Sequence, residues 1–182
     1  MATFKVQGGL KLKGELHPQG AKNEALQVLC AVLLTPQEVI MENVPNIRDV
    51  NILIDLLRDL NVKVNQIDEE SYSFKADEVN VDYLSSEDYK EKSSRIRGSI
   101  MIVGPLLSRF GNAKISLPGG CAIGTRPFDL HLFALKKLGA KIKIKNGYII
   151  AEAKNGLKGT NINFPNISVG ATENAILAAS NA

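Results

Sequence analysis

The sequence predicts an α/β fold built from an internal repeat. Apolar helical segments alternate with short strands rich in β-branched residues along the 182-residue chain. Three similar helix starts, Gly20-Ala21-Lys22-Asn23, Arg95-Ile96-Arg97-Gly98 and Gly170-Ala171-Thr172-Glu173, stand 75 residues apart. Equal spacing of similar helix–strand–helix–hairpin units indicates a repeat of about 75 residues, present two and a fraction times.

The first unit carries signals for the ends of its elements. Its predicted elements are a helix with the apolar run 25–34, a strand over 39–44, a helix with apolar positions over 50–60, and a hairpin of 62–64 with 71–75. Thr35-Pro36 ends the first helix because proline cannot continue it. We expect Asn46 or Asp49 to cap the second helix, whose apolar positions recur at helical spacing.

The second unit repeats this order around a glycine-rich loop. Its predicted elements are a helix over 94–110, a strand over 113–117, a loop over 118–126, a helix from 127, and a hairpin of 140–145 with 148–153. Pro127 suits the first turn of its helix, and Gly139 ends that helix. Asn146-Gly147 favours a tight primed turn. The acidic stretch 77–88 between the units is expected to be a solvated loop.

The third unit is incomplete in this sequence. It is expected to open with a strand over 160–164 and a helix from Gly170, before which Ser168 is either a helix cap or a ligand-binding residue. No second helix or hairpin follows. A repeat without its neighbours leaves an apolar face uncovered, so we expect a missing C-terminal portion, a partner chain or a marginally stable fragment.

Composition argues against several classes of protein. Hydrophobic residues make up 45% and charged residues 23%, and no apolar run approaches the length of a membrane span. A net charge of +3 without tryptophan or a dense Lys/Arg stripe argues against a nucleic-acid partner. We therefore expect a soluble, cytoplasmic protein with no membrane partner. His17 and His131 lie too far from other ligand types to suggest a metal.

The two cysteines lie in contrasting settings. Cys30 belongs to the apolar run and is expected to be core filler. Cys121 follows Pro118-Gly119-Gly120, where glycines allow close approach to a ligand, and Arg126 comes five residues later. A neighbouring guanidinium favours the thiolate, and a low-pKa thiol can protonate a carbon or attack an activated double bond. A harmless cysteine in a turn gives the same pattern.

Two of the repeated helix starts carry cations. Lys22-Asn23 opens the first helix, where free N–H groups and a partial positive charge favour a phosphate or carboxylate. Arg97 holds the corresponding position one repeat later, with Arg95 close by. A solvated lysine and a solvated or ion-paired arginine remain the alternative interpretations.

Four motifs together produce a family resemblance. They are Gly20-Ala21-Lys22-Asn23, the Pro-Gly-Gly-Cys loop, Arg126-Pro127-Phe128-Asp129-Leu130-His131 and Ser168-Val169-Gly170-Ala171-Thr172. With them the chain resembles the N-terminal part of the UDP-N-acetylglucosamine 1-carboxyvinyltransferases, a family of enolpyruvyl transferases. The similarity runs in register from Phe4 to the last residues. The sister family, the enolpyruvylshikimate phosphate synthases, lacks the cysteine loop.

The resemblance implies a fold of two domains, each made of three βαβαββ units with helices inside and sheets outside, an inside-out α/β barrel. Residues 1–20 would then supply strands to the other domain, which is missing here. Residues 21–182 would form the cysteine-loop domain, truncated in its third repeat. The missing C-terminal half of the same enzyme is the partner this implies.

The resemblance also implies a reaction. The enolpyruvyl group of phosphoenolpyruvate would be transferred to the 3-hydroxyl of UDP-N-acetylglucosamine with release of phosphate, without metal or organic cofactor. Cys121 matches the proton donor, which can also form a covalent phospholactoyl adduct, and Lys22 with Asn23 matches the phosphoenolpyruvate-binding pair. The residues that match sugar-nucleotide contacts are Arg97, Arg126, Pro127, Phe128, Asp129, Leu130, Ser168 and Val169. Arg126 would also face phosphate.

Some features depart from the family pattern. Asn166 stands where many members carry a lysine, and Phe128 replaces a small aliphatic residue. The family's deprotonating aspartate and several arginines belong to the missing half, so we expect this chain alone to be inactive. A non-catalytic sugar-nucleotide-binding module is the alternative. For the intact enzyme the resemblance implies a role in peptidoglycan synthesis, hence in cell shape and division, and sensitivity to fosfomycin.

Overall fold

The computed structural model describes residues 3–117 and 128–182. Its helices and strands follow in the order α1 (Lys22–Ala31), β1 (Glu38–Met41), α2 (Arg48–Asp59), β2 (Lys63–Gln66), β3 (Tyr72–Lys75), α3 (Glu87–Ser93), α4 (Val103–Phe110), β4 (Asn112–Ser116), α5 (Asp129–Lys137), β5 (Lys141–Lys145), β6 (Tyr148–Glu152) and α6 (Val169–Ala179). Short 3₁₀ segments lie at Val32–Leu34, Val81–Ser85 and Arg97–Ile102.

The first sheet has its last strand in the middle. Its order is β1-β3-β2, and β3 runs antiparallel to both neighbours. Phe74 of β3 lies opposite Val39 on one side and Val64 on the other. Phe74 is fully buried, so this face of the sheet packs against the helices.

The second sheet has the same construction. Its order is β4-β6-β5, again with the last strand antiparallel to both neighbours. Ile149 of β6 lies opposite Ile115 and Ile144, and it is fully buried. The predicted repeat is therefore confirmed at the level of strand order and register. Helix, strand, helix and hairpin recur in both units.

The helices form the interior and the sheets lie outside them. Fully buried leucines come from α1, α2 and α4, including Leu29, Leu53, Leu57, Leu106 and Leu107. Burying one such side chain stabilises the fold by roughly 1.5–3 kcal/mol. On β6 the buried Ile149 and Ala151 alternate with less buried residues, and on the edge strand β5 Lys141, Lys143 and Lys145 are exposed. The predicted fold class is confirmed.

One predicted strand is not formed. Residues 160–164 pair with no strand among the described residues. A strand needs a neighbour to take up its N–H and C=O groups, and both described sheets are three-stranded without this segment. Apolar alternation marked the segment as strand-like but did not supply that neighbour.

The predicted caps of α2 were wrong. Ile47 occupies the cap position and provides no side-chain cap. The Asn46 side chain instead accepts a hydrogen bond from the Asn51 amide at 2.8 Å. Asp49 lies within the first turn and pairs with Lys22. Both side chains found other partners, one on the same helix and one on α1.

The predicted helix 94–110 is divided in the structure. A 3₁₀ segment, Arg97–Ile102, precedes α4, which ends at Gly111 in the left-handed conformation (φ 69°). Pro105 contributes to the division because it has no N–H to donate. The acidic stretch before this region is also ordered. The hydroxyl of Tyr83 donates to Asp59 at 3.0 Å, and Lys92 bonds the same carboxylate at 2.6 Å.

Local turn signals were confirmed. Asn146 and Gly147 both have positive φ, 52° and 77°, as a primed turn requires. Gly139 follows α5 with φ 98°, and it ends that helix as expected.

Residues 3–20 form neither helix nor strand in the structure, and their side chains are largely exposed. The expectation that this segment supplies strands to another domain remains a prediction. Within the described residues, no helix has both the length and the apolar character needed to cross a membrane.

Candidate functional site

Lys22 opens α1, as the sequence predicted. Ala21 precedes it in an extended conformation and supplies no side-chain cap, so no side chain takes up the first-turn N–H groups. The Lys22 ammonium lies 3.3 Å from the Asp49 carboxylate, with each side chain more than two-fifths exposed. Such an exposed pair contributes little to stability. Lys22 and the exposed Asn23 are therefore accessible to an anion.

Arg97 opens the 3₁₀ segment that corresponds to the start of α1. Its side chain is half-buried, and its charge lowers the pKa of His131 on α5. The adjoining Gly98 packs against Leu26 of α1, since a Cβ built on Gly98 would lie 3.6 Å from the leucine Cδ1. The segment that presents Arg97 thus contacts α1, and the Arg97 charge acts on His131 of α5.

The starts of α5 and α6 carry five further predicted site residues. Phe128 precedes α5 and packs partly buried on the core, while Asp129 is exposed and Leu130 half-buried. Before α6, the Ser168 hydroxyl accepts a hydrogen bond from the backbone N–H of Ala171 at 3.3 Å. Ser168 therefore is a helix cap. Val169 is 70% exposed and is free to contact a ligand.

The N-terminal ends of α1, the 3₁₀ segment and α6 lie at one end of the helical core. Gln27 of α1 donates to Glu173 of α6 at 2.6 Å, and each residue lies in the second turn of its helix. Leu26, the fifth residue of α1, contacts Gly98, the second residue of the 3₁₀ segment. These contacts place the first two turns of α1 beside the early turns of α6 and of the 3₁₀ segment. Their partial positive charges add to those of Lys22 and Arg97.

Two polar residues at this end were missed by the sequence reasoning. His131 is only 7% exposed, and its ring carbon Cε1 would lie 3.4 Å from a Cβ on Gly170. Asn174 is fully buried and bonds His131 at 3.2 Å. Burial, then the charge of Arg97, lowers the pKa of His131 to about 4, and Asp129 opposes them. A signal existed in the sequence. Asn174 shares its helical face with three alanines, so a polar side chain was placed in the core.

The predicted residues Cys121, Arg126 and Pro127 lie outside the described residues. Their flanks are described. Ser116 ends β4, and its buried hydroxyl lies 2.5 Å from that of Ser93. Leu117 then donates its N–H to the Gly147 carbonyl at 2.9 Å. The chain returns at Phe128, directly before α5. The two flanks therefore connect the second sheet with the helix that carries Asp129 and His131.

Cys30 is confirmed as core filler. It is fully buried, and burial raises the pKa of its thiol well above the ordinary value. A thiol that stays protonated is a poor nucleophile. No group of three or more metal-ligating side chains occurs within 3–117 and 128–182.

Grooves on the surface do not single out these residues. A groove of about 430 Å³ is lined by Gly139, Lys141, Glu152, Ala153, Lys154, Asn155, Gly156 and Lys158. None of them is a predicted site residue. A smaller hollow of about 120 Å³ lies beside the start of α1 and includes Ala21 and Glu24. Charge and helix ends, rather than cavity size, mark the candidate site.

Comparison with known proteins gives the family. The family model described as EPSP synthase (3-phosphoshikimate 1-carboxyvinyltransferase) matches residues 6–182. The chain belongs to this family. Its match covers both repeat units and α6, so the whole described fold lies within the EPSP synthase family pattern.

The chain is also similar to curated relatives that carry another enzyme name. The UDP-N-acetylglucosamine 1-carboxyvinyltransferase of Bacteroides fragilis is 47% identical over 180 residues, covering 98% of this chain and 42% of the relative. That of Acinetobacter baylyi is 46% identical with the same coverage. The chain thus spans about 42% of the length of these curated relatives.

Solved structures show the same fold at low identity. The enolpyruvyl transferase NikO from Streptomyces tendae matches with a TM-score of 0.70 and 21% identity, over 94% of this chain and 39% of that one. EPSP synthase from Acinetobacter baumannii matches with a TM-score of 0.69 and 15% identity, over 91% and 37%. These likenesses establish the enolpyruvyl transferase fold for the described residues on both sides of 118–127.

Proposed function

We propose that this chain contributes the cysteine-loop part of a UDP-N-acetylglucosamine 1-carboxyvinyltransferase. The observation that carries the proposal is 47% identity over 98% of the chain with relatives of that name. The family model alone leaves the acceptor open, because its description names a 3-phosphoshikimate enzyme. The EPSP synthase structure is only 15% identical, which favours the sugar nucleotide over the shikimate compound.

The proposed reaction joins an alcohol to an enol ether carbon. The 3-hydroxyl oxygen of UDP-N-acetylglucosamine bonds to C2 of phosphoenolpyruvate, while the Cys121 thiol gives its proton to the methylene carbon C3. The Cys121 thiolate then takes a proton back from the resulting methyl group, which restores the double bond as the C2–O bond to phosphate breaks. Inorganic phosphate leaves, and the enolpyruvyl ether remains. The hydroxyl proton goes to the family's aspartate, which this chain does not contain.

The cations of this chain would bind the anionic substrates. Lys22 and Asn23, at the uncapped start of α1, are proposed to bind phosphoenolpyruvate. Arg97 and the segment from Arg126 to Leu130 would bind the sugar nucleotide, as would Ser168 with Val169. The half-burial of Arg97 supports this role, because a partly desolvated guanidinium binds phosphate more strongly than an exposed one.

The experiment that tests the proposal uses a chimera. This chain replaces the matching 42% of the Bacteroides fragilis relative, and phosphate release from phosphoenolpyruvate is followed with UDP-N-acetylglucosamine present. We expect turnover, a loss of about 1,000-fold or more for Cys121→Ala, and residual activity for Cys121→Asp, since a carboxylic acid also donates a proton. Cys30→Ala is the matched control and should retain turnover.

A labelling experiment sharpens the assignment of the thiol. Fosfomycin, an epoxide analogue of phosphoenolpyruvate, should alkylate Cys121 and spare Cys30, whose buried thiol stays protonated. Peptide mass spectrometry locates the adduct. Labelling of Cys30 in the folded protein, or a folded chimera without phosphate release, would refute the proposed chemistry.

A second candidate function is a sugar-nucleotide-binding module without chemistry. The neighbouring N-terminal ends of α1, the 3₁₀ segment and α6 favour this function for the 182-residue chain taken alone. Calorimetric titration of UDP-N-acetylglucosamine into the chain, beside a phosphate-release assay, separates the two. Binding without turnover supports the module for this chain. Appreciable turnover by the chain alone would refute our expectation that the missing half is required.

The exposed segment 3–20 is proposed to pair with a second domain. Its apolar side chains recur at alternate positions, namely Phe4, Val6, Leu10, Leu12 and Leu16, and each is at least 74% exposed. Alternation of this kind is typical of a strand with one buried face. In the chimera, amide hydrogen exchange in this segment should slow relative to the isolated chain. We further propose a cytoplasmic enzyme of peptidoglycan synthesis.

A further inference from the structure

Asn174 is inserted into the backbone hydrogen bonding of a neighbouring helical segment. Its side-chain oxygen accepts from the Gly104 N–H at 3.1 Å, and its side-chain nitrogen donates to the Ile100 carbonyl at 3.1 Å. Gly104 and Ile100 are four residues apart, the spacing of one α-helical hydrogen bond. The amide thus replaces that bond at the point where the 3₁₀ segment becomes α4.

The insertion fixes the orientation of the Asn174 amide. A backbone N–H only donates and a backbone carbonyl only accepts, so the oxygen must face Gly104 and the nitrogen must face Ile100. The amide nitrogen carries a second hydrogen and lies 3.2 Å from Nδ1 of His131. Nδ1 must therefore accept. The His131 ring is neutral, with its proton on Nε2.

Protonation of His131 would place two N–H groups face to face. Burial and the charge of Arg97 act in the same direction, and Asp129 opposes them. Arg97 and Asp129 are the described charged groups that act on the ring. Its neighbours on α6, Asn174 and Gly170, carry no charge. The Asn174 amide, burial and the charge of Arg97 therefore all favour the neutral ring.

The Nε2–H group of His131 faces the start of α6. A Cβ on Gly170 would lie 3.5 Å from Nε2, an ordinary contact distance, so this edge of the ring packs against the first turn of α6. His131 is more than nine-tenths buried, and Nε2 has no hydrogen-bond partner within 3–117 and 128–182. Ser168 takes up the Ala171 N–H, which leaves the N–H groups of Val169 and Gly170 without a side-chain cap.

We propose that Asn174 is a positioning residue that makes His131 a neutral hydrogen-bond donor to a phosphate oxygen bound at the start of α6. The opposite tautomer would present a lone pair to the anion and repel it. The ligand class is a phosphate ester, and this half of the inference rests on the proposed sugar-nucleotide substrate. The tautomer follows from the amide geometry alone.

The tautomer is tested by ¹⁵N–¹H correlation spectra of the imidazole nitrogens of the 182-residue chain. We expect a protonated Nε2 and an unprotonated Nδ1 for His131, unchanged down to pH 5. A proton on Nδ1, or a doubly protonated His131 ring above pH 5, overturns the inference. This measurement needs no variant.

Asn174→Asp tests the role of the amide. A carboxylate at this position accepts from Nδ1–H, so the tautomer should reverse and the pKa of His131 should rise to its ordinary value or above. Asn51→Asp is the matched control, because Asn51 is an exposed helical amide bonded only to Asn46. If His131 keeps its proton on Nε2 in folded Asn174→Asp, the amide does not set the tautomer.

Ligand binding is tested by titrating UDP-N-acetylglucosamine, and separately inorganic phosphate, while observing the Nε2–H signal. We expect the signal to move with the nucleotide, and Asn174→Asp to weaken affinity by about 10-fold or more. Gly170→Ala should weaken binding without changing the tautomer, since its methyl would lie 3.5 Å from Nε2 and occupy space that the phosphate oxygen needs. Movement with phosphate alone identifies a free-anion site.

The outcomes separate this inference from the proposed function. Nucleotide binding that leaves the His131 signal unmoved refutes the ligand role and leaves the proposed function intact. No nucleotide binding, with the tautomer as expected, refutes the substrate assignment for this chain and the ligand role with it. Equal loss of affinity in Asn174→Asp and Asn174→Ala, without any change of tautomer, makes Asn174 purely structural.

Discussion

The two repeat units share a frame but differ in one connection. In both units, a backbone N–H just after the first strand donates to a carbonyl in the hairpin of the same unit. Val44 donates to the Glu70 carbonyl at 2.8 Å, and Leu117 donates to the Gly147 carbonyl at 2.9 Å. From β1 to α2 the link is six residues, 42–47, whereas from β4 to α5 it is twelve, 117–128. The longer link contains Cys121 and Arg126. The two units thus share a frame, and the longer link is where the sequence places these two candidate site residues.

The units also differ in how their first helix begins. Lys22 starts a regular α-helix, while Arg97 starts a 3₁₀ segment that becomes α4 only at Val103. The residue that interrupts the second unit is Asn174, which comes from the third. The second unit is therefore shaped by its neighbour, and the comparison teaches that the repeat is not three independent copies.

The largest expected effect comes from adding a methyl group at Gly104, where the second unit contacts the third. A Cβ on Gly104 would overlap the Asn174 side-chain oxygen and lie 2.8 Å from its backbone oxygen. Gly104→Ala should lower the free energy of unfolding by about 4 kcal/mol, through overpacking and loss of the Asn174 hydrogen bonds. Urea unfolding followed by circular dichroism measures this.

The matched control lies between the first and second units. A Cβ on Gly98 would meet Leu26 at 3.6 Å, an ordinary contact. Gly98→Ala should change the free energy of unfolding by less than about 1 kcal/mol. Equal effects of the two alanines would mean that the α4–α6 contact is no closer than the contact on α1, and the asymmetry between units would be lost.

The next expected effect is a pH dependence that the first unit lacks. The third residue of α2 is the buried Val50, and the third residue of α5 is His131. The pKa of His131 falls from 6.5 to about 4 on folding. A lowered histidine pKa means that the unfolded chain binds the proton more tightly. Stability is full above pH 6.5, and about 3 kcal/mol of it is lost between pH 6.5 and 4.

The variant His131→Gln isolates this contribution, because glutamine does not titrate. The difference in unfolding free energy between wild type and variant should change steeply over pH 4 to 6.5 and remain flat above pH 7. Carboxylates with lowered pKa values, such as Asp88, act on both proteins alike. A difference that is flat throughout would show that the ring is not held neutral.

How far the sequence predicted these features depended on the range of the interactions. The Asn146-Gly147 turn, the end of α5 at Gly139 and the burial of Cys30 follow from local chemistry, and they were predicted. The cap of α2 was not, because Asn46 and Asp49 found partners on Asn51 and Lys22 that helix statistics do not contain. The prediction of a strand over 160–164 was wrong because the residue pattern does not supply a neighbouring strand.

The site divides in the same way. Lys22, Arg97 and Ser168 could be chosen as candidates because each opens a repeated helix. The contact of His131 with Asn174 joins residues 43 positions apart, and that of Asn174 with Ile100 joins residues 74 apart. Helical periodicity places Asn174 on a buried face but does not say which groups it meets there. Tertiary packing decides that.

A smaller effect tests the junction between the units. The Arg109 guanidinium on α4 donates from one nitrogen to the carbonyls of Leu33, Thr35 and Ala76, at 3.2, 3.2 and 2.7 Å. It thereby joins α4 to the chain that follows α1 and to the residue that follows β3. Arg109→Ala should lower the free energy of unfolding by about 2 kcal/mol, because it leaves carbonyl groups unpaired.

The control for this junction is Arg58→Ala. Arg58 pairs only within α2, with Asp55 at 2.8 Å, and both side chains are about half exposed. Such a pair contributes about 0.5 kcal/mol or less. If Arg109→Ala were as mild as Arg58→Ala in chemical denaturation, the guanidinium would not join the units.

The smallest expected effect lies in the hairpins, where the two units use different turns. The first joins β2 to β3 through residues 67–71, and the second joins β5 to β6 through Asn146 and Gly147 alone. Gly147 has φ 77°, a region that a Cβ disfavours by about 1 kcal/mol, so Gly147→Ala should lower the melting temperature by a few degrees. Gly159→Ala, with open space around it and no positive φ, should leave the melting temperature within a degree or so of wild type. A Gly147→Ala protein as stable as Gly159→Ala would mean that the second hairpin tolerates a looser turn, as the first already does.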